Sequence, residues 1–96
     1  MRLRWNENAL DDLEKIRDYI EKDDPFAAMR VVMRLRDGLE QLTTFPQMGR
    51  VGRVTETREL VFSDLRYIAV YNVHTDRKEI EILNIIHAAR RYPPEP

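Results

Sequence analysis

The apolar residues change period part-way along the chain, and that change limits the folds available to it. From Ala9 to Leu42 they recur at steps of three and four, as on one face of a helix. From Arg58 to Ile86 they alternate or run together as in strands. Ala9, Leu13, Ile16 and Ile20 form the first stripe. Asn6 is placed to cap that helix, and Trp5 with Leu10 to staple its start. MRLRW before it reads as a short strand. Asp24 with Pro25 behind it closes one helix and opens the next, because a proline at the first helical position loses no hydrogen bond. The second stripe is Ala28, Val32, Leu35, Leu39 and Leu42, and Phe45-Pro46 stops it.

A loop with proline and glycine spans Pro46 to Gly52, and Arg58 to Phe62 reads as a strand. Ser63 to Arg66 turns the chain into a central strand, Tyr67 to Val73, with Ala69, Tyr71 and Val73 on one face and Ile68 and Val70 on the other. After a turn at Thr75 to Arg77, Glu79 to Ile86 returns with Ile80, Ile82 and Ile86 on one face and Glu81, Leu83 and Ile85 on the other. The expectation is an α+β domain over residues 1–96: a strand and helical hairpin packed on a small antiparallel sheet, with a frayed PPEP tail.

Ninety-six residues allow one domain, and 43% hydrophobic with 34% charged residues fits a compact globular chain. No apolar run reaches the roughly 20 residues of a bilayer span, and MRLRWNENAL lacks a signal-peptide core, so a cytosolic location is expected. With no cysteine there are no disulfides, thiolate zinc sites or cysteine nucleophiles, and two distant histidines lack metal-ligand spacing. No cofactor-binding motif is present.

Net charge is -1, with eight Lys/Arg against ten Asp/Glu in residues 1–48 and eight against seven in 49–96. That balance argues against tight non-specific nucleic-acid binding. Arginines nevertheless collect around the strands, and Arg50, Arg53 and Arg58, spaced too closely for all to be neutralised locally, suggest a surface that grips something anionic. Phe26, Met29, Val31 and Met33 give the helices more apolar surface than one face can bury, which marks a partner site. His74 is expected to be solvated in a turn, and the alternative for the arginines is ordinary solvated surface with ion pairs such as Arg58 with a cross-strand Glu79 or Glu81.

The order W…A..DL..I..YI…DP.AA, then FPQMGRVGR, TREL, Y…Y.V and EIL..IH..R resembles the RelE/ParE superfamily of bacterial type II toxins over nearly the whole chain. The resemblance implies a strand, two helices, a three-stranded meander and a C-terminal segment. It also implies a cognate antitoxin that wraps the toxin in a hetero-oligomer, for which Phe26, Met29 and Met33 are the contact candidates. The low charge, the single lysine of the second half, Lys78, and the GR.GRV..TREL stretch look more like the branch that poisons DNA gyrase. On that reading Arg50, Arg53, Arg58, Tyr67, Arg90 and Arg91 are the target-binding candidates.

The alternative branch enters the ribosome and cleaves mRNA. In-line attack by a ribose hydroxyl needs a base, an acid and a cation for the phosphorane charge, and His87, Arg58 and Arg90 are the catalytic candidates. Tyr67 or Tyr92 could then stack on a base. A third reading is a remnant of the toxin fold that only binds a partner, or its operator together with the antitoxin.

Overall fold

The computed structural model describes residues 1–89, 92 and 93. In chain order the elements are β1 (Arg2–Trp5), α1 (Glu7–Glu21), α2 (Pro25–Glu40), a 3₁₀ turn (Gln41–Thr43), β2 (Arg50–Val51), β3 (Arg58–Phe62), β4 (Tyr67–His74) and β5 (Glu79–His87). Both helix starts follow from local chemistry. The Asn6 side chain accepts the Ala9 N–H at 2.9 Å, and one Asp24 oxygen accepts from Phe26 and Ala27, each at 3.1 Å.

The helices pack on one face of a five-stranded sheet ordered β1-β5-β4-β3-β2. Ala9 and Ile16 of α1, Leu35 and Leu39 of α2, and Leu42 of the 3₁₀ turn meet Phe62, Ala69, Tyr71, Ile80, Ile82 and Ile85 in one core. Gly38 is buried in α2 because a Cβ there would run into the Phe62 ring. Tyr71 is fully buried, yet its hydroxyl is satisfied: it accepts from Gly49 N at 2.9 Å and donates to Pro46 O at 2.8 Å. That pair of bonds ties the loop after the helices to the middle of β4.

The α+β expectation is met, and the sheet differs from the expected antiparallel one in three ways. It is mixed, because β1 runs parallel to β5, with Arg2 opposite Glu79 and Trp5 opposite Ile82. It gains β2, a two-residue strand inside the expected loop, paired antiparallel with β3. It also carries an irregularity in β5: Val70 faces Asn84 while Tyr71 faces Ile82, so Leu83 is an extra residue. The bulge reverses the facing of everything after it. Ile85 therefore joins Ile80 and Ile82 in the core, where simple alternation puts Ile86.

The bulge coincides with the end of β1. Asn6 N–H donates to Ile82 O, after which β5 has no strand on that side. Asp12 of α1 takes over: its Oδ2 accepts the Ile85 N–H at 2.9 Å and Asn84 Nδ2 at 3.2 Å. A carboxylate thus stands in for a strand carbonyl.

Candidate functional site

The face of the sheet turned away from the helices carries the buried Ile68 and Val70 at its centre and charged residues toward both edges, and strand alternation decides which arginines reach it. Glu59, opposite Val70, points to this face, and its side chain has no exposed surface. Arg50 donates to its Oε1 through Nε at 3.2 Å and Nη2 at 2.9 Å. Arg53 donates to its Oε2 through the backbone N–H at 2.9 Å and Nε at 3.2 Å. Burial alone would raise the Glu59 carboxyl; the backbone and guanidinium donors of Arg53, with those of Arg50, overcome it and hold the group below its ordinary value. The Arg53 guanidinium also lies 5.8 Å from the centre of the Tyr92 ring. Burial pushes the Tyr92 hydroxyl above its usual range.

A second cluster occupies the β1 side of the same face. Arg4 donates through Nε to Glu79 Oε1 at 2.9 Å and reaches Glu81 Oε2 through Nη2 at 3.1 Å. Arg77 and Arg2 approach Glu79 at 3.6 and 4.0 Å. His74 Nε2 stands 2.8 Å from Glu81 Oε1, so this histidine is the last residue of β4 with a carboxylate partner and not a solvated turn residue. Hydrogen bonding from Arg4 holds Glu79 low, and hydrogen bonding from His74 holds Glu81 low.

Arg58 belongs elsewhere. It shares its face with Leu60 and Phe62, toward the helices, and donates to the carbonyls of Gly49 at 3.1 Å and Gln47 at 3.2 Å. The alternative pairing with Glu79 or Glu81 is not formed, because β4 stands between β3 and β5. His87 is also on the helix side, its ring edge-on to Tyr67 at 5.6 Å, and its Nδ1 accepts the Ala89 N–H at 3.1 Å. It lines a cavity of about 530 Å³ with Asp12, Lys15, Ile16, Tyr19, Tyr67 and Ile85.

His87 and Arg58 are not brought together. Arg58 faces Tyr71 and His87 faces Tyr67, four residues apart on β4 and on opposite neighbours of it. That places the two on the order of 15 Å apart. Arg90 and Arg91 lie outside the described residues.

On the helical hairpin Phe26, Met29 and Met33 stand 76%, 63% and 55% exposed. Val31 is the exception among the surplus apolar residues, since it packs against the core. Met29 and Met33 line a groove of about 190 Å³ with Arg17, Glu21, Pro25, Ala28 and Val32.

Sequence reasoning missed Glu59, Arg4 and Asp12. Glu59 had a legible signal: a lone carboxylate inside the apolar strand RELVF, six and nine residues after two arginines.

Two helices on one face of a five-stranded mixed sheet is the architecture of RelE/ParE-type toxins. Residues 3–92 match the profile of the ParE toxin of type II toxin–antitoxin systems, and the chain belongs to that family. It is 46% identical over 92 residues to the Y4kP protein of Sinorhizobium fredii, covering 96% of this chain and 93% of that protein. It is 40% identical over 86 residues to the toxin RelE2 of Caulobacter vibrioides, covering 90% and 93%. Among solved structures it resembles a chain of the chromosomal ParDE system of P. aeruginosa, with a TM-score of 0.80, 28% identity and coverage of 91% and 95%. The intact RelBE toxin–antitoxin complex of E. coli, at a TM-score of 0.70 and 16% identity over 93% and 98%, shares the fold.

Proposed function

We propose that this type II toxin is silenced by a cognate antitoxin and, when free, inhibits DNA gyrase without cleaving RNA. The observation that carries the second half is the separation of His87 from Arg58, the two described members of the candidate catalytic set. Strand cleavage needs an acid, a base and a cation within hydrogen-bond reach of one phosphate. Here His87 and Arg58 are separated along β4, and Arg58 is engaged by two carbonyls. Arg50 and Arg53 reach outward on the other face. They are the proposed contact with the target.

The antitoxin belongs on the helical hairpin. The exposed Phe26, Met29 and Met33 beside an apolar groove suit the apolar face of a helix or an extended segment from a partner. Burying one such side chain is worth about 1.5–3 kcal/mol, so Met29→Glu should weaken antitoxin binding at least tenfold. Full affinity for Met29→Glu in a titration of the purified pair would remove the groove from the interface.

The deciding experiment is pulse-labelling of DNA and protein synthesis in the minutes after the toxin is induced alone. DNA synthesis should fall first, and His87→Ala should be as toxic as the parent. An early fall of protein synthesis, abolished by His87→Ala, would overturn the gyrase reading in favour of ribosome-dependent mRNA cleavage.

A further inference from the structure

Ile68 and Val70 are 4% and 0% exposed, although they point away from both helices and lie outside the core that the helices share with the sheet. Apolar side chains on a helix-free face need another cover. Strand register locates it. Val70 stands in a row between Glu59 of β3 and Asn84 of β5, and Asn84 reaches Asp12 beyond the row. Glu59 and Asn84 are two strand intervals apart, about 10 Å.

Tyr92 lies on that row. Its half-buried ring is 5.8 Å from the guanidinium of Arg53, which is itself bound to Glu59 at 3.2 Å. Burial first, and then the charge of Glu59, raise its hydroxyl above the usual range, and Asp12 at the other end of the row adds to them. A side chain that feels carboxylates at both ends of the row lies over its middle, Val70. The hold is weak. Among the described residues the hydroxyl has no hydrogen-bond partner, so release returns a poorly satisfied group to water. The contact with Arg53, on a side chain 41% exposed, is worth a factor of about two to five.

We infer that Tyr92 is a releasable cover, closing the apolar centre of the helix-free face and shading Arg53 until the target of the toxin displaces it. Whatever displaces it meets an apolar floor, Ile68 and Val70, beside the two guanidiniums of Arg50 and Arg53. The displacing partner therefore presents an apolar side chain next to an acidic one. This deepens the reading of Arg50 and Arg53 as the target contact, and rests on it.

The purified full chain is followed by methyl NMR, and the induced chain by growth arrest at toxin levels measured by immunoblot. In the parent, nuclear Overhauser contacts should join the Tyr92 ring to the Val70 methyls. Tyr92→Phe should keep them, because the hydroxyl is unbonded, and Tyr92→Ala should move the Val70 and Ile68 methyl signals through loss of the ring. With the cover gone, Tyr92→Ala should arrest growth at about one half to one fifth of the parent's toxin level, and Tyr92→Phe at the parent's level. Absence of the ring contacts in the parent would overturn the cover, whether or not the alanine variant folds. Contacts present, with a Tyr92→Ala chain that needs as much toxin as the parent or more, would overturn the release. Failure of the target reading shows separately, as arrest that survives Arg50→Gln, Arg53→Gln and Glu59→Gln together.

Discussion

Glu59 shows how one side chain can set the orientation of two others. Its folded carboxyl titrates below the ordinary value of about 4.3, so its contribution to stability is complete above about pH 5. That contribution is lost as the pH falls through the unfolded value toward the lowered folded one. Glu59→Gln should cost about 2 kcal/mol in urea unfolding at pH 7, less than the 3–5 of a fully enclosed pair because both guanidiniums reach water. The gap between the two proteins should close as the pH is taken from 5 toward 3; a gap that stays constant would mean the carboxylate charge contributes nothing. At Gly38, alanine should cost about 1–3 kcal/mol by driving a methyl into Phe62, measured the same way. Little of this was legible in the chain, since the partners of a carboxylate are chosen by strand register and loop path. The core stripe residues could be read directly, because their period is local.

Helix stripes, caps and the β3–β4–β5 meander all follow from local pattern. The parallel β1–β5 pairing, the two-residue β2 and the Leu83 bulge do not, because two or four residues carry no usable period and an inserted residue leaves no mark in composition. The bulge also decides the element that Asp12 completes. Asp12→Ala should strip the Ile85 N–H and the Asn84 amide of their acceptor and cost about 1–3 kcal/mol. Asp12→Asn keeps an oxygen in place and should cost less than half as much in parallel urea titrations. Equal losses for the two would assign the effect to helix packing and not to the strand edge.

The two faces of the molecule give its proposed activities separate addresses: the exposed apolar residues of the hairpin for the antitoxin, the arginines across the sheet for the target. Substitutions should therefore sort. Arg50→Gln, Arg53→Gln and Glu59→Gln together, which leave no buried charge unpaired, should abolish growth arrest on induction while the antitoxin still binds within about threefold, since changes far from an interface affect it little. Loss of both functions together would place the two partners on one surface. The resemblance in the sequence pointed to the family, but the separation of faces depends on which way each strand residue points, which strand register decides.

The pairing of the first strand with the last has a consequence for how the protein is made. Arg4 and Glu79 are 75 positions apart, and closing a loop of that length costs about 4 kcal/mol of chain entropy. During synthesis β1 must wait for β5, which ends at His87, so helices and early strands emerge without the strand between β1 and β4. Until then Ile80, Ile82 and Ile85 are missing from the core. A chain stopped before Glu79 therefore lacks the strand between β1 and β4 and leaves this core incomplete.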